Sequence, residues 1–396
     1  MTIAHVTVEG TVDTGFEKVA DALAAEADEL LPGGAAFAVY LDGIQVVDLW
    51  LGHARPGQAW QADTPAVLMS ATKGVTALAA QICASRHLLD PDTPVAQYWP
   101  EFAAAGKADV LVRHVLAHTS GVTTIPGYSE FLLPDGTGWE DEAQILARIA
   151  QAEPTWAPGT RTGYHGFTYG WIVGELVRRV TGRPLSAFIR DEIAEPLGLP
   201  LWLGVPSEIR PRVADVIAPP RPTAAQPELL AAEKYMTDPA NPIGAMLLSS
   251  RGSNLVVEIA RFVNDGRALA LAIPSSTGVS TARSLAAMYH VLACGGELNK
   301  TRLVSEESVR QFSEPQVSGT DEFFGTPGHW GLGYQLSGCL GFTFAPTGEG
   351  FGHWGHGGQF GWADPTVRLS AGFLRTRLGD NGVAERLGQA VYAAIA

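Results

Sequence analysis

Strand-forming patterns occupy the two ends of this chain and are nearly absent from its middle, an arrangement that few folds accommodate. Near the start, AAFAVYLDGIQVVDLWLG (residues 35–52) reads as two strands. They join at Asp42-Gly43, a dipeptide that tolerates the positive φ angles of a tight hairpin. Upstream, FEKVADALAAEADELL places apolar residues at helical spacing from Phe16 to Leu31. Asp13 or Thr14 is the expected cap and Pro32-Gly33 the stop. From Ser70 to Val317 the patterns are helical, as in VTALAAQICASRHLL, WEDEAQILARIAQA, YGWIVGELVRRVTG and ARSLAAMYHVLACGG. Strand patterns resume in HWGLGYQLSG and TVRLSAGFLRT, and VAERLGQAVYAAIA closes the chain as a helix.

Runs of strands on either side of a run of helices predict an α+β fold. The expected architecture is an α/β sandwich, an antiparallel sheet flanked by helices from both chain ends, with a mostly helical region inserted. Residues 1–69 and 318–396 form the sheet domain, residues 70–317 the helical domain, and the active site lies between them. One stretch, Ala218 to Gly244, is rich in Pro and Ala and reads as a linker or a long surface loop bordering a pocket.

Charge narrows the partners. The 396 residues carry a net charge of −14 with 46% apolar residues. Nucleic acid and anionic membrane surfaces both demand clustered Lys and Arg, so the expected partner is a small molecule. The first residues, MTIAHVTVEG, lack the charged-then-apolar pattern of a leader, and no apolar run reaches the length of a membrane span. The expected location is the cytoplasm. Cys83, Cys294 and Cys339 are odd in number and far apart, which predicts reduced, packed thiols. No pattern sets the oligomeric state, and a homo-oligomer stays open.

The chemistry gathers at three places. In VLMSATKGVTALAAQICA, Ser70 precedes Lys73 by three residues at the head of an apolar run. Positions i and i+3 share a helix face, so the amine can reach the hydroxyl. The plain alternative is a helix-capping serine with a solvated lysine. Of five lysines only Lys73 has a serine at this spacing, and its apolar flanks suit an amine held out of water with a lowered pKa. Second, in GTRTGYHGFTYGW, Tyr164 lies at a loop-to-helix junction. Beside a cationic Lys73 its phenol is expected to lose its proton more easily; otherwise it is a packed aromatic. Third, EGFGHWGHGGQFGWADP (residues 349–365) offers Gly-rich backbone N–H groups of the kind that stabilise an oxyanion. His353 and His356 in the same stretch lack a third ligand at short spacing, so no metal is expected. Trp330, Trp354 and Trp362 nearby hint at an aromatic-lined site.

Together SATK at Ser70–Lys73, YHG at Tyr164–Gly166 and HWGHGGQFG at His353–Gly361 resemble the serine β-lactamase and penicillin-binding-protein superfamily. The likeness is greatest to class C enzymes and family VIII carboxylesterases. It extends through VRHVLAHTSGV, YGWIVGELVRRVTGRPLSAFIRDEIAEPLGL and GGELNKTRLVS, nearly the whole chain. The resemblance implies a β-lactamase/transpeptidase-like fold and a serine hydrolase that needs no cofactor. It makes Ser70 the nucleophile, Lys73 its activating partner and Tyr164 the general base and later acid, with the first proton acceptor left open between the last two. The third motif allows two registers, His353-Trp354-Gly355 or His356-Gly357-Gly358. The first keeps Phe360-Gly361 at the family's spacing and puts the oxyanion hole at the backbone N–H groups of Ser70 and His356.

Two departures bear on substrate. Where lactamases show Tyr-x-Asn, this chain has Tyr164-His165-Gly166, without the side-chain amide. His353-Trp354 stands in place of Lys-Thr, weakening the hold on a β-lactam carboxylate, although a histidine supplies charge at low pH. Both point to uncharged, short-chain carboxylic esters. Gly-x-Ser-x-Gly, the elbow of the rival α/β-hydrolase fold, does not occur. Acyl transfer to a non-water acceptor, weak β-lactamase activity and a non-catalytic binding or assembly role remain as alternatives.

Overall fold

The computed structural model describes residues 7–133, 136–219, 223–249 and 255–396. Its largest sheet joins both chain ends. From one edge the strands run Glu9–Val12, Ile44–Arg55, Gly34–Leu41, Leu369–Arg375, Phe360–Asp364, Phe351–Trp354, Gln335–Leu336, Pro327–Trp330 and Val317–Thr320. Every adjacent pair is antiparallel. The hairpin turns at Asp42 (φ 48°) and Gly43 (φ 87°), as that dipeptide requires.

Both faces of the sheet are covered, which explains the continuous apolar runs of its central strands. Ala35, Phe37 and Val39 pack with Val383, Leu387 and Val391 of the C-terminal helix Gly382–Ile395 and with Val19 and Leu23 of the helix Glu17–Ala25. Phe37 sits at the centre, its ring 6.3–6.5 Å from those of Phe344, Phe360 and Phe373. Ala36 and Ala38 face the other way, into the larger core.

On that second face lies the helix Ala282–Ala293, which the expected division had grouped with the inserted helical part. It is bound to the sheet by Ser370 Oγ donating to Ala286 O (2.9 Å), by Gly43 N–H donating to His290 Nε2 (2.8 Å) and by an Arg283–Asp48 ion pair. The close approach needs Gly372, because a Cβ there would strike the backbone of Ala282 and Ala286.

Four other expectations change. The first helix is not continuous to Leu31: it breaks at Glu26 and resumes as Ala27–Leu30. The buried Glu26 carboxylate takes two hydrogen bonds from Arg386, tying this break to the C-terminal helix. Neither Asp13 nor Thr14 caps it; Phe16 holds the cap position, and the Glu17 carboxylate accepts from Gly15 N–H instead. HWGLGYQLSG makes two short strands, because Gly331 N–H donates to Tyr334 O and closes a turn. The stretch Ala218 to Gly244 contains a helix, Pro227–Met236, and the start of another, Pro242–Met246; residues 220–222 lie outside the described part.

The inserted part is built on the helices Thr72–Ser85, Glu142–Gln151 and Thr168–Thr181, with a small sheet of Ala66–Val67, Gly278–Ser280 and Leu201–Leu203. The three cysteines are free thiols, Cys83 and Cys339 buried. Among the described residues, no helix is long and apolar enough to cross a membrane.

Candidate active site

Ser70 lies on a short 3-10 turn, Met69–Ala71, that leads directly into the helix Thr72–Ser85. Met69, immediately before it, holds φ at 49°, a conformation costly for an unbranched L residue outside glycine and asparagine. This kink turns the serine out of the helix line. The end of the strand Phe351–Trp354 presses on the same turn: a Cβ at Gly355 would meet Leu68 O and, at 3.1 Å, Met69 Cβ. Glycine at this position lets the third motif close over the serine.

One helical turn after Ser70, Lys73 is completely buried. Its Nζ lies 3.2 Å from Ser70 Oγ and 3.2 Å from the carbonyl oxygen of Ser275, and 4.8 Å above the Tyr164 ring. No carboxylate pairs with it among the described residues. Burial alone holds its pKa well below the ordinary lysine value. A neutral amine beside a serine hydroxyl is a base.

Tyr164 and Ser70 face the same cavity. The pKa of Tyr164 moves opposite to the expectation from sequence: burial raises it, and the neighbouring Ser70 hydroxyl only partly offsets this. Burial outweighs the help expected from Lys73, whose Nζ stands 4.8 Å from the ring. The backbone of this tyrosine is fixed on both sides. Its N–H donates to Asp321 Oδ2 (2.8 Å), while Gly163 N–H donates to His118 O and His165 N–H to His118 Nδ1, each at 3.0 Å.

His165 itself points away from the serine. Its Nδ1–H donates to Gly163 O (2.6 Å) and its Nε2 sits 2.8 Å from Ser120 Oγ, the hydroxyl donating. Gly166 is occupied from the opposite side: a Cβ there would stand 2.7 Å from Met246 Sδ and 3.0 Å from Met246 O. The space an asparagine would need is filled by the helix Pro242–Met246.

His353 lies behind Tyr164, fully buried, with ring centroids 6.4 Å apart. Its Nδ1 is 2.8 Å from Trp354 O, so Nδ1 carries the proton and Nε2 is an acceptor, without a partner among the described residues. Burial, and next the neighbouring Lys73, push its pKa down to about 3. It is therefore uncharged at neutral and mildly acidic pH, which corrects the expectation of useful charge at low pH.

A cavity of about 390 Å³ opens from Ser70 and Tyr164, walled by Met236, Leu247, Phe324, Leu340, Phe342 and Trp354, with Gly355 and the exposed His356 at its rim. A side branch of about 30 Å³ runs past Gly166 and Phe167. Among the described residues, neither is lined by an arginine or lysine. Of the three tryptophans, Trp354 walls the cavity and Trp330 stacks on Tyr164 (6.0 Å, 17°), whereas Trp362 belongs to the core on the sheet's other face. Among the described residues, no group of His, Cys, Asp and Glu is arranged to hold a metal.

Sequence reasoning brought Ser70, Lys73, Tyr164 and His353 to one place, and the structure does group them. It overlooked His118, Asp321, Ser275 and Met246. His118 stood in VRHVLAHTSGV without any local pattern to mark its role, and the other three reach the site only through tertiary contacts.

Comparison with known proteins finds relatives along nearly the whole chain. Residues 21–395 match the Beta-lactamase family. The chain is 36% identical over 377 residues to the Esterase/beta-lactamase LipL of Mycobacterium tuberculosis, an alignment covering 94% of this chain and 83% of that protein. Among solved structures, a penicillin-binding protein homologue from Caulobacter crescentus superposes with a TM-score of 0.83 at 32% identity, covering 98% of this chain and all of that one. A family VIII carboxylesterase gives 0.82 at 32% identity with the same coverage.

Proposed function

This chain belongs to the β-lactamase family, and on that premise we propose that it is a carboxylesterase hydrolysing uncharged, short-chain carboxylic esters through an acyl-enzyme on Ser70. The observation that carries the reading is the buried Lys73 amine, 3.2 Å from Ser70 Oγ, with the serine opening onto a mostly apolar cavity that has no cation among its described lining residues.

The groups divide the proton work by their ionisation. Burial lowers the pKa of Lys73 and raises that of Tyr164, which favours the amine as first acceptor: it takes the Ser70 proton as Oγ attacks the ester carbonyl. General-base assistance of this kind accounts for roughly 10²–10⁴-fold in rate. The N–H groups of Ser70 and His356 receive the developing oxyanion; His356 N–H has no hydrogen-bond partner among the described residues. As the carbonyl re-forms, the C–O bond to the alcohol breaks, Tyr164 protonates the departing oxygen, and the proton on Lys73 replenishes the phenol. Water then attacks the acyl-enzyme, gives its proton to the same pair, and Ser70 Oγ leaves with it.

The ester preference over β-lactams follows from what is missing. His353 carries no charge to hold a lactam carboxylate, and Met246 fills the place of a Tyr-x-Asn amide. Acyl transfer to an alcohol is the second reading, supported by the apolar walls, which disfavour water; product analysis with added alcohols separates the two.

The test is hydrolysis of p-nitrophenyl butyrate beside a chromogenic cephalosporin, with the wild type and Ser70→Ala. Expected is ester cleavage that the mutant loses while it stays folded, with little cephalosporin turnover. Full esterase activity in Ser70→Ala would sink the assignment.

A further inference from the structure

His118 combines two unfavourable features. It is fully buried, and it holds φ at 56°, a region uncommon outside glycine although histidine enters it more readily than most residues. Its ring lies among aromatics, with centroids 4.1 Å from Trp330, 5.0 Å from Tyr169 and 5.1 Å from Tyr164. The Nδ1 accepts from His165 N–H, so the ring proton resides on Nε2. That Nε2–H is buried and has no partner among the described residues. A phenylalanine would fill the same space without this orphaned donor. What a histidine offers beyond its ring is the acceptor at Nδ1.

The use of that acceptor is visible in the chain that crosses it. Residues 163 and 165 both donate to His118, one to its carbonyl and one to its ring, and the residue between them is Tyr164. We propose that His118 is a positioning residue for Tyr164: its carbonyl oxygen and Nδ1 grip the backbone on either side and thereby set the phenol against Ser70. The inference rests on the reading of Tyr164 as the proton-transfer group. Asp321 fixes the third N–H, so loss of the Nδ1 contact loosens one of three anchors and lets the segment shift without unfolding. Displacement of a reacting group by about 1 Å is enough to cost on the order of 100-fold in rate.

Two substitutions separate acceptor from ring. Asparagine carries its Oδ1 on Cγ, where histidine carries Nδ1, and it tolerates positive φ. His118→Asn keeps the grip and deletes the ring; His118→Phe does the reverse. With a p-nitrophenyl ester, kcat, KM and the thermal midpoint are measured for both, beside Tyr164→Phe. The expected result is that His118→Phe loses about 10–100-fold in kcat with KM within about threefold. His118→Asn is expected to restore most of kcat despite a lower midpoint. The opposite ranking, with Phe active and Asn impaired, reduces His118 to packing and overturns the inference. If His118→Phe does not fold, a folded His118→Asn with a tenfold loss in kcat overturns it equally. Wild-type rates in Tyr164→Phe overturn the underlying role of the tyrosine, whereas an inactive Tyr164→Phe beside a fully active His118→Phe removes this inference alone.

Discussion

Replacing Lys73 by methionine tests the ionisation on which the chemistry depends. Methionine keeps the length and apolar stem of lysine, so the helix packing survives, while the amine is lost from beside Ser70 and Ser275. Activity falls with it, but stability is the sharper readout. Burial holds the folded-state pKa of Lys73 well below the ordinary value near 10.5. Between those two values the unfolded chain binds one proton more than the folded chain. Folding is therefore linked to release of that proton, and stability rises with pH across the window and is lost as pH falls through it. One proton corresponds to about 1.4 kcal/mol per pH unit, so the wild type gains about that much per unit relative to Lys73→Met wherever the pH lies between the two values. Adding to the wild type's advantage at every pH, the mutant leaves the Ser275 carbonyl without its donor, at about 1–3 kcal/mol, a pH-independent offset. Guanidinium denaturation of both proteins at pH 7, 8 and 9 measures the difference. Parallel stability curves would mean that Lys73 is charged in the folded protein, and the assignment of the amine as first proton acceptor would then be wrong.

The remaining predictions concern substrate choice. Because His353 is held at about 3, KM for a carboxylate-bearing cephalosporin stays flat between pH 7 and 5; a fall in KM with a midpoint near 6.5 would show that the histidine charges. Gly166→Asn, which recreates the lactamase pattern, drives a side chain into Met246 and destabilises the fold by about 1–3 kcal/mol without raising lactam turnover. Met246→Ala in the same chain recovers part of that loss in a denaturation experiment. Equal stability of Gly166→Asn and wild type would show that the helix Pro242–Met246 yields readily.

Local patterns were legible wherever neighbours in sequence decide the outcome. The Asp42-Gly43 hairpin, the helix after Ser70 and the i, i+3 spacing of Ser70 and Lys73 all follow from backbone preferences and periodicity. The division of strands between the chain ends was enough to predict one antiparallel sheet, because sequence-distant strands had no other partners. The helix Ala282–Ala293 was recognised as a helix but not as a cover for the sheet, since apolar periodicity marks a buried face without naming what lies against it.

Sequence by itself determined which groups could do chemistry here: a serine, a lysine one turn later, a tyrosine and a glycine-rich strand end. Tertiary structure alone decided their charge and aim. The Lys73 pKa is lowered because the fold buries the amine with the Ser275 carbonyl, 202 residues away in sequence, and brings no carboxylate to it among the described residues. Tyr164 keeps its proton for the same reason, and its position depends on Asp321, 157 residues downstream, and on His118. Desolvation and orientation are sums over neighbours in space. A sequence specifies those neighbours only once the chain has folded.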